Sequence, residues 1–469
     1  MKNNIYLNIF IKKNIKFILF LIKIILIINF KNQLNIKKMK INNNYFTIQK
    51  DLHLSFKNPL KNNIRIGIYI YNLKNGGTQR ITSILLNYFY KVKIFSLFLF
   101  TQQKKEGNEY IIPNKIKRII IKDRLMKFLI KEIYKNKINV LIYQFPNYKG
   151  INILNQLKKI KIIFYQHYCF LYWVYFNYYM FKNIYKSLQN SKYIISIVPF
   201  ENNYIFKNWG INSILMNNFI TYDYNYIISS DLSVKTILMM GRGQDKLKRY
   251  ELGILAMEYI REEISECKMT IVSNITSIYP LKILVDNIDL QRIITFVEYT
   301  STPELYFKNA SLHIFPSLSE SFGLVLSETK SYGIPNILLG IDYVTIAKRG
   351  TINIYDDSPE SICKEVIKIL KKNNYKIELA KYSRKSMKNF NNKILLRKWI
   401  KLILSIYNGD EYYQNIRMNI INISKNNLIK IAVNQLKLLK LRKTINAKVN
   451  DIINFTFLEN YNYSLNKYN

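Results

Sequence analysis

The sequence predicts an α/β protein built from two doubly wound domains in tandem, their strand ends facing one another across a cleft. Three observations predict it. Short apolar runs, the mark of strands buried on both faces, alternate with amphipathic or polar stretches, and the alternation starts afresh near Val234. At 469 residues the chain is too long for one ordinary core. Glycines also punctuate the points where a strand gives way to a helix, in NGGTQR in the first cycle and MGRGQDKLKRYELG in the second.

Regular structure begins with IRIGIYIYN, Ile64 to Asn72, a buried parallel strand. After the glycine pair, Ile81, Ile84, Leu85, Tyr88 and Phe89 repeat at the spacing of an amphipathic helix. Strands follow at KIFSLFLF, VLIYQF from Val140, KIIFYQH ending at His167, and KYIISIVPF from Lys192. The aromatic segment CFLYWVYFNYYMFKNIY between the last two reads either as a core helix or as a surface facing a second substrate. The second cycle runs VKTILMMGRG, a helix around Glu251 to Ile260, strands KMTIV and RIITFV, and a helix led by STPEL with Ser301 and Glu304 as a capping box and Pro303 in its first turn. Then come the strand SLHIFPS, a helix ending at Gly333 before Pro335, the strand NILLG, a capped helix in DDSPESICKEVIKIL and a closing amphipathic helix in KILLRKWIKLILSIY. The expected boundaries are an extension over 1–62, a first domain over 63–228, a second over 229–390, the closing helix over 391–408 and a basic, weakly periodic tail over 409–469.

A formal net charge of +41 would ordinarily point to nucleic acid or an anionic membrane. Here Asn, Ile, Lys and Tyr are all in excess together, as an A+T-rich coding sequence produces, and no basic block or aromatic stacking motif stands out, which argues against nucleic acid as the partner. Cys169, Cys267 and Cys363 lie far apart, so neither a disulfide framework nor a zinc site is expected and a reducing compartment is the default. Imidazole chemistry has only His53, His167 and His313 to draw on, and His313, inside a strand, reads as core. Near the N-terminus KFILFLIKIILIINF is apolar but spans only 15 residues, is interrupted by Lys23 and has no small-residue cleavage site. It reads as a membrane anchor or as a product of the same coding bias, giving a cytoplasmic protein or one at the cytoplasmic face of a membrane.

Three constellations carry chemistry. The turn at Gly76 and Gly77 lets backbone N–H groups approach a phosphate or sugar where a helix dipole favours negative charge, although glycine at such a turn also serves structure alone. Arg242 and Lys248 place two cations after the first strand of the second domain, and Arg, scarce in this chain, forks onto two phosphate oxygens while Lys acts as a point charge. Glu320 and Glu328, in LHIFPSLSESFGLVLSETKSYGIPNILLG, are separated by seven residues. A carboxylate accepts two hydrogen bonds at once and so suits a diol, and Ser321, Phe322, Gly323 and Leu324 between them form a helix start whose unpaired N–H groups can take a pyrophosphate. Read as solvated charges, the pair leaves unexplained why Glu328 lies among Leu324, Val325 and Leu326.

NGGTQR, the GR…K element and ESFGLVLSE, in this order and spacing, resemble the glycosyltransferases of family four (group one glycosyltransferases), with support from NASLHIFPS, GIPNILLG and MNNFI. The resemblance spans about Ile64 to Tyr407 and is strongest from Met239 to Gly340. It implies the GT-B fold, two Rossmann-like domains across a cleft, and a retaining, metal-independent transfer of sugar from a nucleotide-sugar donor to an acceptor hydroxyl of a glycan or lipid-linked glycan, with no cofactor. By motif, Glu328 would bind the donor ribose, Glu320 the transferred sugar, Phe322 to Leu324 the diphosphate and sugar through backbone amides, and Arg242 with Lys248 the diphosphate. His167 matches the place of an active-site histidine; a packed interior histidine is the plainer reading. The absence of a D-x-D motif agrees with metal independence. Two departures stand out: Arg249 replaces the glycine usual after the lysine, and the usual late glycine cluster is reduced to Gly340. The competing expectations are a non-catalytic basic module of this fold that binds anionic polymer or membrane, and a nucleotide-sugar epimerase, which would want more acid/base groups than this histidine-poor chain offers.

Overall fold

Two parallel sheets organise the molecule. The computed structural model describes residues 63–409 apart from 75, 105–106, 108, 122–125, 145–146, 168–177, 200, 203–204, 207–209, 242–247, 301, 342–343 and 357. The N-terminal extension, most of the tail, Arg242, and most of the aromatic segment lie outside the described residues.

In chain order the first lobe comprises β1 (Ile64–Ile70), α1 (Gly77–Phe89), β2 (Phe95–Thr101), β3 (Lys117–Ile120), α2 (Lys127–Lys135), β4 (Val140–Tyr143), α3 (Tyr148–Asn155), β5 (Lys161–Tyr165), α4 (Tyr178–Leu188), β6 (Tyr193–Ser196) and β7 (Ile214–Leu215). The second comprises β8 (Thr236–Met240), α5 (Tyr250–Glu263), β9 (Lys268–Ser273), α6 (Ile275–Asn287), β10 (Ile294–Glu298), α7 (Glu304–Lys308), β11 (Leu312–Phe315), α8 (Leu324–Ser331), β12 (Asn336–Leu339), β13 (Thr351–Ile354), α9 (Pro359–Lys371) and α10 (Asn373–Ser386). The closing helix is α11 (Asn392–Asn408).

The sheet orders are β3-β2-β1-β4-β5-β6-β7 and β10-β9-β8-β11-β12-β13, and every strand pairing is parallel. In each sheet the chain winds outward from its first strand and then crosses back, so the order reverses between β1 and β4 and again between β8 and β11. Loops leaving the carboxyl ends at such a reversal diverge to opposite faces and open a crevice. The glycine turn before α1 and Gln144 after β4 border the first crevice; Lys248 and Arg249 before α5 and the loop before α8 border the second. The central strands are buried on both faces, with Ile64, Ile66 and Ile68 of β1 and Ile237, Leu238 and Met239 of β8 removed from solvent. This is why they read as continuous apolar runs rather than alternating ones.

The closing helix returns to the first lobe. Asn391 caps it, accepting from the amides of Lys393 and Ile394. Asn392 then bonds both backbone groups of Ile220 and donates to Tyr88 Oη at 3.0 Å. Trp399 is fully buried edge-on to Phe89 and Tyr165, with ring centroids 5.7 and 5.2 Å away.

Several elements differ from the sequence expectation. The strand expected through His167 stops at Tyr165, and the one expected through Phe145 stops at Tyr143. β3 escapes the apolar-run test because it is a half-exposed edge strand, and α2, α3, α6 and α10 were not separated from the polar stretches around them. α7 begins at Glu304 with Pro303 at the cap position, and Ser301, one half of the expected capping box, lies outside the described residues. The expected cap of α9 is present, Ser358 accepting from the Ser361 amide at 3.2 Å with Pro359 at the helix start.

Candidate functional site

The second crevice is lined by a loop whose geometry glycine permits. After β11, residues 316–323 turn back toward the sheet, and α8 starts only at Leu324, later than the sequence pattern placed it. Gly323 occupies the cap position at φ 76, in the left-handed region where a Cβ would meet the following carbonyl. At the other end Gly333, at φ 74, returns its N–H to the Lys330 carbonyl at 3.0 Å while the Ile334 N–H reaches Thr329 at 3.0 Å. The first-turn N–H groups of α8 have no intrahelical partners and so are donors available to an anion.

Glu328 sits in the middle of α8 and is completely buried. Its Oε1 accepts two hydrogen bonds, from Arg80 Nη1 at 2.7 Å and from Thr221 Oγ1 at 2.8 Å. Its Oε2 is buried with no hydrogen-bond partner among the described residues. Burial pushes this carboxyl's pKa up, against the opposing pull of Arg80 and then of the Thr221 hydroxyl. A buried carboxylate with one satisfied and one unsatisfied oxygen is costly unless something hydrogen-bonds to it.

Glu320, in the loop, pairs with the Lys248 ammonium. Lys248 Nζ also lies 3.3 Å from Ser317 Oγ and 5.1 Å from the centre of the Phe315 ring. Both carboxylates are therefore held by cations, Glu320 by one from its own lobe and Glu328 by one from the other. Arg249, where the family pattern has glycine, opens α5 at φ 52. The backbone there takes the left-handed form that glycine favours, so the departure changes the residue and leaves the conformation. Phe322 is buried against Phe390, its ring 5.8 Å away and nearly perpendicular, so this residue offers the crevice its backbone rather than its ring.

The first lobe contributes the glycine turn and a histidine. A Cβ on Gly77 would lie 3.5 Å from Leu324 Cδ1, so the turn packs directly on the start of α8. His167, two residues past β5, is buried beneath the Tyr165 ring at 3.9 Å, and its Nε2 is 2.8 Å from Gln144 Oε1. An amide oxygen only accepts, so Nε2 carries the proton and Nδ1 is an acceptor. Burial lowers its pKa to about 3, which keeps the ring neutral across the physiological range. These contacts of His167 lie within the first lobe. His313 is likewise a buried neutral ring, its Nδ1 2.7 Å from Asn336 Oδ1 and its pKa lowered to about 4 by burial, as expected of core.

Arg80, Thr221, Tyr110 and Tyr299 were not singled out from sequence. Arg80 lies inside NGGTQR, and the scarcity argument applied to Arg242 holds equally for it: the chain has 13 Arg against 58 Lys. Tyr110 and Tyr299, from different lobes, share a hydrogen bond of 2.9 Å, a pairing no local pattern encodes.

Residues 228–386 match the family model described as glycosyl transferases group 1. The matched segment takes in β8 to α10, so nearly all of the second lobe is similar to group 1 glycosyltransferases. Solved structures similar to the chain share its GT-B fold. Sucrose-phosphate synthase from Thermosynechococcus elongatus is 14% identical with a TM-score of 0.62, covering 74% of this chain and 100% of that one. A glycosyltransferase from Rickettsia africae is 14% identical with a TM-score of 0.57, covering 74% and 99%. Anabaena HepE, in complex with UDP and glucose, is 11% identical with a TM-score of 0.58, covering 73% and 99%. At such identities the likeness establishes the fold. No curated protein matches the chain in sequence. Lys248, Glu320 and Glu328 fall inside the matched segment; Gly77, Arg80, His167 and Thr221 lie outside it.

Proposed function

We propose that the chain is a retaining, metal-independent glycosyltransferase that moves a sugar from a nucleotide-sugar donor to an acceptor hydroxyl in glycan or glycolipid synthesis, in the cytoplasm or at the cytoplasmic face of a membrane. The observation that carries the reading is the buried Glu328 carboxylate, which has one oxygen held by Arg80 and Thr221 and the other without a partner among the described residues. A ribose diol would satisfy it. The N–H groups of Phe322, Gly323 and Leu324 would then face the diphosphate, with Ser321 beside them and the glycine turn at Gly76 and Gly77 closing over from the first lobe.

Lys248 sits where it can exchange partners. Held by Glu320, it needs only a side-chain rotation to meet a diphosphate oxygen, and it would then stabilise the charge that develops as the sugar bond breaks. Arg242 would join it. Glu320, released, would accept from sugar hydroxyls. The neutral His167 would offer hydrogen bonds to sugar or acceptor rather than carry a positive charge. Metal independence rests on these cations; among the described residues no cluster of three or more His, Cys, Asp or Glu side chains is placed to hold an ion. Retention of configuration rests on the family resemblance. A membrane location rests on the N-terminal apolar segment alone, since among the described residues no helix is long and apolar enough to cross a membrane.

The test is turnover of a nucleotide-sugar panel in the presence of excess chelator, with the anomeric configuration of the released sugar or product read by NMR. Hydrolysis or transfer that persists with EDTA and keeps the donor's configuration is expected; inversion, or rescue only by manganese or magnesium, would refute the corresponding part.

A further inference from the structure

The two donors on Glu328 Oε1 come from outside the helix that bears it and outside the second lobe's sheet. Thr221 belongs to the segment linking the lobes, and Arg80 to the first turn of α1. A carboxylate can rotate to exchange its oxygens. Two donors on one oxygen, one of them a rigid guanidinium fork, remove that freedom and leave Oε2 as the oxygen that faces a ligand. Arg80 is itself seated across the cleft: its Cζ lies 6.0 Å over the Tyr110 ring, and Tyr110 is bonded to Tyr299 of the second lobe. Gly77, three residues earlier, packs on Leu324. One turn of the first lobe thus touches the second at the carboxylate and at the start of α8, and Arg80 also packs on Tyr110, which is bonded to Tyr299 just after β10.

We propose that Arg80 is a positioning residue for the donor: it fixes the Glu328 carboxylate from across the cleft, so that the donor site of the second lobe is complete only when the first lobe is closed upon it. The inference rests on the reading that Glu328 meets the donor, and it adds a consequence that reading lacks. Nucleotide binding and lobe closure share one ion pair, so each favours the other.

Burial, the largest influence on the charge of Glu328, favours the neutral carboxyl, and Arg80 opposes it. Among the described residues, the ionisable groups facing the carboxylate are Arg80, Glu304, Tyr222, Tyr332 and Tyr110, and of these only Arg80 is a cation. Without it, burial and Glu304 both favour the protonated carboxyl, which has lost an acceptor site for a diol. Losing Arg80 therefore moves the acid side of nucleotide binding upward in pH, an effect that loosened packing would not produce.

The experiment uses the full chain and the tightest binder among UDP, GDP, ADP and CDP, with affinity measured by calorimetry from pH 5 to 8 on wild type, Arg80→Gln, Arg80→Lys and Glu328→Gln, each shown folded by thermal melting. Arg80→Gln is expected to bind at least ~10-fold more weakly at pH 7, with its acid limb moved upward in pH. Arg80→Lys, which keeps charge without the fork, is expected to recover the limb and only part of the affinity. Glu328→Gln is expected to lack the limb altogether, and adding Arg80→Gln to it should cost little more. An Arg80→Gln chain with wild-type affinity and pH profile overturns the proposal and leaves the functional reading standing, provided Lys248→Ala still weakens binding. Should Arg80→Gln fail to fold, Arg80→Lys decides: wild-type affinity in that variant overturns the fork's role. A wild-type chain that binds none of the four nucleotides overturns both readings together.

Discussion

Residues 229–409 carry 26 Lys and Arg against 19 Asp and Glu, whereas residues 63–228 carry 24 against 6, although both lobes wind outward and cross back in the same way. Cations are equally common in the two, as expected of a bias that runs the length of the chain. The difference lies in the acids, which such a bias does not explain. Among the described acids of the first lobe the use is local: Glu109 is bonded by Arg118, Glu132 by Asn136, Glu201 by the Tyr185 hydroxyl at 2.6 Å and Asp223 by Asn225. In the second, two acids are placed at the crevice. The donor chemistry proposed here is thus concentrated in the lobe that matches the family model, and the first lobe brings to it a cation, a glycine turn and neutral side chains.

The comparison breaks if equivalent ion pairs in the two lobes behave alike. Glu328→Ala leaves Arg80 facing a buried gap, and breaking a buried pair costs about 3–5 kcal/mol; the lower end is expected because the Arg80 side chain keeps 16% exposure. Glu109→Ala deprives Arg118 of a comparable partner, with side-chain exposures of 14% and 4%, and should cost stability on a similar scale. Urea denaturation should show both losses, while calorimetry should show nucleoside diphosphate binding abolished only in Glu328→Ala. Loss of binding in Glu109→Ala would erase the distinction between the lobes.

Lys248→Ala sharpens it within the second lobe. Removing a charge-assisted contact to the diphosphate should weaken nucleotide binding by about 1.5–3 kcal/mol, with the melting temperature little changed. Unaltered affinity would place the phosphate elsewhere.

Both lobes bury a neutral histidine, and this gives a pH prediction. An unfolded imidazole takes its proton near 6.5, whereas folded His167 does so only near about 3 and His313 near about 4. Between those values the unfolded chain binds more protons, so stability falls as pH falls from about 6.5, by up to about 1.4 kcal/mol per pH unit for each group. His167→Gln should flatten the decline in unfolding free energy between pH 6.5 and 5 by one group's share, and a slope unchanged from wild type would show that the ring is not held neutral. The smallest effect is expected at Arg249. Glycine there relieves a left-handed backbone cost of about 1 kcal/mol, so Arg249→Gly should raise the denaturation midpoint slightly.

Much of this was legible in sequence because the physics that encodes it is local. Runs such as TILMM and LHIF announce buried parallel strands, and Gly333 with Pro335 announces the end of α8. Glu328 was legible as an acid within an apolar helical stretch. Half-exposed β3 lacks a continuous apolar run, and α6, whose apolar residues are spread around it, lacks a clear stripe. What could not be read was any pairing of charges far apart in the chain. Arg80 with Glu328 is separated by hundreds of residues, and Lys248 with Glu320 by 72, so only the fold brings these charges together. The sequence placed Lys248 and Glu320 on different parts of one ligand, and the structure adds that they also hold one another.

The central claim is that the two carboxylates divide the donor between them, and calorimetry on Glu320→Ala and Glu328→Ala, each titrated with the nucleoside diphosphate and with the intact nucleotide sugar, tests it most directly. Glu328→Ala should lose both ligands. Glu320→Ala should bind the bare diphosphate as well as wild type or better, since Lys248 is released to meet it, and should be deficient only toward the intact donor. A Glu320→Ala chain that loses the bare diphosphate as severely as Glu328→Ala would contradict the division.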